Sequence, residues 1–403
     1  MHRAGVRLAT AALVVATVVA AVLVATSDSA ESDGASGGAP STTSALPDSP
    51  SVTTTAATPT STTTTTLVPD DGKTSDQRTL SKATTITGGL TPKSIVYDGR
   101  GRMFAQNMIY SHTVNVYDRT YQRVAQISDS VDLSAFGKPG DHQGGPVEAA
   151  LSADGDHMYV TNYQMYGPGF SHPGDDECAK GDWDPSYVYR VSLETLAIDQ
   201  VIQVGPVPKY IATSPDGKWV LNSNWCGYDL SVIDAAAGTE VRRVPLGRFP
   251  RGIAVTPDSR TAYVAVMGSS DIAIVDLTTF EVGWIRGVGR GPRHLVIDGE
   301  GRYLYATLNS VGQVAKIDTA TNTVVAKVAS ASEPRSMAIS PDGTALYVVN
   351  YASDAISKIR TADMAQTQRI PVNHHPIGIA YDTDAHQVWV ACYSGSIIVF
   401  DDR

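Results

Sequence analysis

The chain has 403 residues, 42% hydrophobic and 7% aromatic, which is ordinary for a packed domain. Its net charge of −10 disfavours a large basic surface for duplex nucleic acid but leaves a local basic site open. Three cysteines, Cys178, Cys226 and Cys392, show no CxxC and no metal-ligand spacing, which argues against a structural zinc site and a thioredoxin-like motif.

Arg3 and Arg7 precede an apolar run over 8–25, LATAALVVATVVAAVLVA. The pattern reads as a signal-anchor over 1–26, or as a signal peptide with a weak small-x-small cleavage site at Ala25-Thr26-Ser27. Positive charge ahead of the span predicts that the bulk of the chain lies outside the cytoplasm, tethered to the membrane through this helix, or secreted if the signal is cleaved. Residues 27–80 are rich in Ser, Thr, Ala, Pro and Gly and cannot bury a core. They are expected to form a disordered tether, with O-glycosylation as an optional addition.

From there the sequence repeats. The same grammar starts at Pro208, Pro250, Pro292, Pro334 and Pro376, 42 residues apart, with looser copies at Pro92 and Pro146. Each unit opens with a buried-looking run such as GIAVT or SMAIS. An Asp/Gly/Pro turn follows, supplying the φ > 0 positions and side-chain caps that tight hairpins need. A second strand carries an aromatic at a fixed place: Phe104, Tyr159, Tyr263, Tyr305, Tyr347 and Trp389, with Leu221 breaking the rule. A third ends in Asp118, Asp234, Asp276, Asp318 or Asp401, and a fourth leads to the next Pro. Such a period built from short strands indicates a propeller or a solenoid. The seventh unit stops after its third strand, and residues 83–88 (ATTITG) stand where a fourth strand stands before every other Pro. An all-β, seven-bladed β-propeller is therefore expected over 81–403, closed by strand 83–88 in the last blade.

The tetrads Tyr-Val-Thr-Asn at 159–162 and Tyr-Val-Val-Asn at 347–350, with the SPDG turns, resemble the YVTN (YncE-like) family of propeller repeats. The chain is also similar to the propeller chain of quinoprotein amine dehydrogenases. The resemblance covers about four-fifths of the chain and implies fold; propellers of this kind serve as scaffolds, binders and enzymes alike. Val266 and Cys392 depart from the tetrad Asn, and Asn309 is shifted by one. The tetrad Asn reads as a turn former.

Four-strand meanders have two loop faces. The irregular length falls on the face of the second-to-third loops and inter-blade links: the link 128–145 and the insert 163–186. Long loops on a rigid scaffold are where binding usually sits. The residue after the repeat Pro is basic in five of seven units: Lys93, Lys209, Arg251, Arg293 and Arg335. Ring closure would gather these at one channel mouth. Each either ties its blade to a neighbouring carboxylate or carbonyl, or contributes to a funnel for an anion. His142, His172, His294, His374 and His375 share the face. Glu148 and His294, at equivalent repeat positions, could bind a divalent metal with an Asp from the insert, although no tight spacing pins such a site. Cys178 and Cys226, on adjacent blades and one face of an exported chain, are expected to form a disulfide. Cys392 is expected to be a buried free thiol. The sequence assigns no cofactor outright and no nucleophile; GxSxG, GxGxxG and GxxxxGK[ST] are absent.

These features predict a membrane-tethered extracytoplasmic binding module, acting as a monomer, for a cell-surface protein, a polymer or a small anionic ligand. The alternatives are a metal-assisted lyase or lactonase at the same mouth, and a structural cell-surface scaffold.

Overall fold

The computed structural model describes residues 72–164, 178, 183 and 186–403. The expected signal-anchor, the tether up to residue 71 and most of the 163–186 insert, including His172, lie outside the described residues. Among the described residues, no helix is long and apolar enough to cross a membrane.

Seven four-stranded antiparallel sheets form the molecule, with a two-stranded ribbon between the first two. Blade 1 is β2(Pro92–Tyr97) to β5(Arg123–Ser128), and the ribbon is β6(Ser130–Asp132) and β7(Asp141–Gln143). Blade 2 is β8(Gly145–Leu151) to β11(Ile198–Val204), and blade 3 is β12(Pro208–Thr213) to β15(Thr239–Pro245). Blade 4 is β16(Pro250–Val255) to β19(Val282–Ile285), and blade 5 is β20(Pro292–Ile297) to β23(Thr323–Ala329). Blade 6 is β24(Pro334–Ile339) to β27(Ala365–Pro371). Blade 7 is β28(Pro376–Asp382), β29(Gln387–Cys392) and β30(Ser396–Asp402), with β1(Leu80–Thr87) as its outer strand. The inner strands β2, β8, β12, β16, β20, β24 and β28 contact one another in that cyclic order, so the ring is closed.

The repeat residues do the structural work their chemistry suggests. All six second-strand aromatics are buried between blades, as is Leu221 in blade 3. Asp118, Asp234, Asp276 and Asp318 accept backbone N–H groups two to four residues on, which caps the third-to-fourth turns. The tetrad residues Asn162, Asn224 and Asn350 are fully buried. Asn350 Nδ2 donates to Ser357 Oγ and to the Ala355 carbonyl, tying the second strand to the third. Cys392 is a buried free thiol whose pKa burial pushes up to about 12.

Order begins before residue 80, earlier than the composition predicts. Ser75–Gln77 form a short 3-10 turn docked on blade 6, where Ser75 N donates to Asp342 Oδ2 at 2.7 Å and Asp76 N to Thr344 Oγ1 at 3.1 Å. From that anchor β1 runs antiparallel to β30, from Leu80 opposite Asp402 to Thr87 opposite Ser396. Beneath the seam lies a fully buried ion pair. Lys358 Nζ of blade 6 donates to Asp402 Oδ1 at 2.6 Å and to the Arg78 carbonyl at 2.8 Å, and the Tyr347 hydroxyl donates to Asp402 Oδ2.

Removing one member of a buried pair strands the other charge. Asp402→Ala is expected to lower unfolding free energy by about 3–5 kcal/mol in urea titrations. Lys358→Met combined with Asp402→Leu should recover most of that loss; a double variant no better than the single one would contradict this account. Thiol labelling in denaturant without reductant should modify Cys392 alone, whereas three labelled cysteines would rule out the Cys178–Cys226 bond.

Candidate functional site

The residue behind each repeat Pro sits in a local irregularity of its strand. The ladder register shifts immediately after Pro92, Pro146, Pro208, Pro250, Pro292, Pro334 and Pro376. A bulge of this kind kinks the strand and re-aims the side chain it carries. In five blades the residue before the Pro also has positive φ: Val207, Phe249, Gly291, Glu333 and His375. For Val207, which is β-branched, that conformation is a genuine outlier, and such strain collects at functional sites.

The bulges turn all five basic residues onto one cavity of about 570 Å³ at the channel mouth. Lys93, Lys209, Arg251, Arg293 and Arg335 line it, with Met108, Ile109, Tyr110, Trp225, Met267, Tyr351, His375, Ile377 and Tyr393. Lys93, Lys209, Arg251 and Arg293 are each under 9% exposed. The cavity opens on the face of the second-to-third loops and inter-blade links.

The five cations are not held alike. Lys93 Nζ is 2.7 Å from Glu148 Oε1. Burial, opposed by Glu148 and reinforced by Arg251 and Arg293, pushes its pKa down to about 7. Arg335 reaches Glu333 at 2.9 Å and lies over the Tyr351 ring, 3.4 Å from its centroid, yet its buried Nε has no acceptor. Lys209 Nζ donates to the Tyr163 hydroxyl at 2.6 Å and lies across the Tyr163 and Trp225 rings. Arg251 lies over Trp225 at 5.8 Å. Among the described residues, neither Arg251 nor Arg293 has a hydrogen-bond or ion-pair partner. Burial, then the charges of Arg251 and Arg335, push the Arg293 guanidinium well below its ordinary value. A guanidinium keeps its proton in any case, so the shift measures unrelieved desolvation and repulsion. The architectural reading therefore accounts for Lys93 and Arg335 and fails for Arg251 and Arg293.

One residue further on, the equivalent repeat positions of the seven inner strands hold Ser94, Glu148, Tyr210, Gly252, His294, Ser336 and Gly378. Gly252 lets blades 4 and 5 approach closely, since a Cβ there would lie 2.7 Å from the Arg293 carbonyl oxygen and the His294 Cα. Across it, the Tyr210 hydroxyl and His294 Nε2 are 3.4 Å apart, with the rings edge to face. Glu148 faces Lys93 in a direct ion pair. Burial, then the charges of Arg293, Arg251 and Lys93, hold the His294 pKa down at about 3, so the ring is neutral. Among the described residues, no three His, Cys, Asp or Glu side chains are grouped to hold a metal. The third donor expected from the insert lies outside the described residues.

The remaining histidines have local roles. His142 Nε2 is 3.0 Å from Asn162 Oδ1, His374 Nδ1 is 2.9 Å from Asp354 Oδ2, and His375 stacks on Tyr351. Cys178 and Cys226 form the expected disulfide. Cys226 packs with Met108, Val147, Tyr163 and Val207 in one apolar cluster beside the cavity.

The apolar wall escaped the sequence reading, although a signal for it exists. The position after the tetrad holds Met108, Tyr163, Trp225, Met267, Tyr351 and Tyr393, a recurrent run of large side chains. Five of those six line the cavity directly.

No protein-family model matches the chain, and no curated protein sequence does. Among solved structures it is similar to hydrazine synthase of Kuenenia stuttgartiensis, at a TM-score of 0.61 and 18% identity, over 78% of this chain and 96% of that one. At that identity the likeness concerns the fold alone, a β-propeller, which in general suits a binding or interaction module.

Proposed function

We propose that the chain is an extracytoplasmic binding propeller of the YVTN-repeat kind, held at the cell membrane by its N-terminal segment, whose ligand is an anion seated at the channel mouth. The observation that carries this reading is the pair of buried guanidiniums, Arg251 and Arg293, that have no hydrogen-bond or ion-pair partner among the described residues, the nearest opposing charge, Glu148, being engaged by Lys93. A buried charge without a partner is costly, so a site that gathers several is organised for an incoming opposite charge. The guanidinium fork matches carboxylate and phosphate oxygens in pairs. The disulfide is consistent with an oxidising compartment, and the apolar run at 8–25 supplies the tether. The metal-dependent lyase or lactonase alternative would use Glu148 and His294, but Lys93 engages the first and three cations surround the second. That environment favours an anion over a divalent cation.

Sulfate, which stays a dianion across the neutral range, is a suitable probe. Changing Arg251 and Arg293 together to Gln should weaken its binding by calorimetry at least tenfold, since hydrogen bonds to charged groups contribute about 1.5–3 kcal/mol each. The same variant should unfold no more easily than the parent without ligand, because it removes buried unpaired charge. Unchanged binding with reduced stability would return both residues to an architectural role, and failure of any anion to bind would leave the scaffold reading.

The pH dependence has a defined sign. Lys93 is protonated below about 7 and neutral above it. Sulfate affinity should therefore fall severalfold as pH rises through that value. Binding should also take up protons, because an anion stabilises the ammonium form. Calorimetry in two buffers of different ionisation enthalpy measures the uptake; proton release would contradict the assignment.

A further inference from the structure

The cavity is two-sided. Following the bulge position around the ring, blades 3 to 6 present Lys209, Arg251, Arg293 and Arg335 without interruption. The other three blades present Ile377, Lys93 and Val147. Ile377 and Val147 are fully buried apolar side chains, and the charge of Lys93 is met by Glu148. One arc of four adjacent blades thus carries a cation at every bulge, Arg335 among them paired with Glu333, and the opposite arc is apolar apart from the Lys93–Glu148 pair. The loops above carry large side chains on both sides: Trp225, Met267 and Tyr351 stand over the basic arc, where Trp225 and Tyr351 back the cations. Blade 1 contributes Met108, Ile109 and Tyr110 to the lining, and blade 7 contributes Tyr393. Tyr110 is 66% exposed at the mouth, held there with φ of 65°. An inorganic ion would leave most of a cavity of about 570 Å³ unfilled and this apolar wall wet.

Charge sets the other requirement. Arg251 and Arg293 are both buried without a hydrogen-bond or ion-pair partner among the described residues. A single negative group would leave buried positive charge behind.

We infer that the ligand is an amphipathic small molecule whose oxyanion groups bring at least two negative charges to the basic arc of blades 3 to 6, and whose hydrocarbon or aromatic portion rests against Ile109, Ile377 and Tyr393 on the opposite side. This rests on the anion-site reading above and adds the ligand's charge and its apolar half. The oxyanions are carboxylates or phosphates, both of which a guanidinium fork accepts.

The test is calorimetric titration of the purified protein with matched probes. Succinate against benzylsuccinate forms the carboxylate arm, and inorganic phosphate against phenyl phosphate the phosphate arm; 4-phenylbutyrate is the singly charged control. In at least one arm the probe carrying the ring should bind tenfold or more tightly than its parent. It should also bind tenfold or more tightly than 4-phenylbutyrate. Ile109→Ser, at a half-buried loop position, should shrink the advantage of the ring-bearing probe over its parent. The arm with the larger affinity identifies the oxyanion. Equal binding of parent and ring-bearing probes, abolished by Arg251→Gln with Arg293→Gln, would overturn the amphipathic ligand and leave the anion site intact. Binding of 4-phenylbutyrate as tight as that of benzylsuccinate would overturn the requirement for two charges. If none of the probes binds, both readings fall.

Discussion

Seven sheets set around an axis leave one seam, and here the seam joins the first and last strands of the described residues. β1 pairs along the whole of β30, and Thr79 and Arg403 exchange backbone hydrogen bonds at its end. The buried Lys358–Asp402 pair fixes this seam to blade 6. Lys358 is satisfied only when the Arg78 carbonyl and Asp402 are both in place, so one ammonium senses both ends of the chain. A buried ion pair adds little net stability over an apolar replacement, and its value lies in specifying a single arrangement. The channel mouth inherits that arrangement. Its cations come from separate blades, and they converge only because the ring is closed.

Inside the ring the same backbone device is used seven times with different outcomes. Each bulge swings one side chain toward the axis, and the residue it carries decides what the mouth becomes. Two of the five cations provide an internal control. Where the structure neutralises a bulge residue it does so directly, with Glu148 for Lys93 and Glu333 for Arg335. Arg251 and Arg293 sit in equivalent frames, at similar depth, with no such carboxylate. The fold therefore tolerates neutralisation at this position but does not impose it. The two uncompensated guanidiniums occupy adjacent blades, where their fields reinforce each other.

The ring was legible in the sequence because its determinants are local and repeated. Turn Asp and Gly residues, the second-strand aromatics and the third-strand Asp recur at fixed offsets, and each performs in space the role its chemistry suggests. The missing strand at the C-terminus pointed to ATTITG at 83–88, and the structure has β1 there, starting three residues earlier and ending at Thr87. The docking of Ser75 on Asp342 was not legible, because a polar stretch is read as tether unless its partner is known, and this one lies 267 residues away. At the site, the basic repeat position was visible but its direction was not. Direction depends on a register shift, which composition does not encode. Glu148 illustrates the limit: its repeat position matched that of His294, but its partner is Lys93 on the adjacent blade, a pairing set by bulge geometry.

The asymmetry of the mouth has a physical support on the side where the chain departs most from its repeat. Cys226 follows Trp225 directly, and its bond to Cys178 packs in the apolar cluster with Met108, Val147 and Tyr163. Lys209 donates to the Tyr163 hydroxyl, and both Lys209 and Arg251 lie over Trp225. The disulfide thus braces the rings against which two cations rest. Bracing matters because a flexible cation in water would lose ordering entropy on meeting an anion, whereas one already stacked on a fixed ring has lost it in folding. The disulfide and this side of the basic arc belong to one device: the covalent link braces the Trp225 ring, and the ring backs the Arg251 guanidinium, which has no ion-pair partner among the described residues.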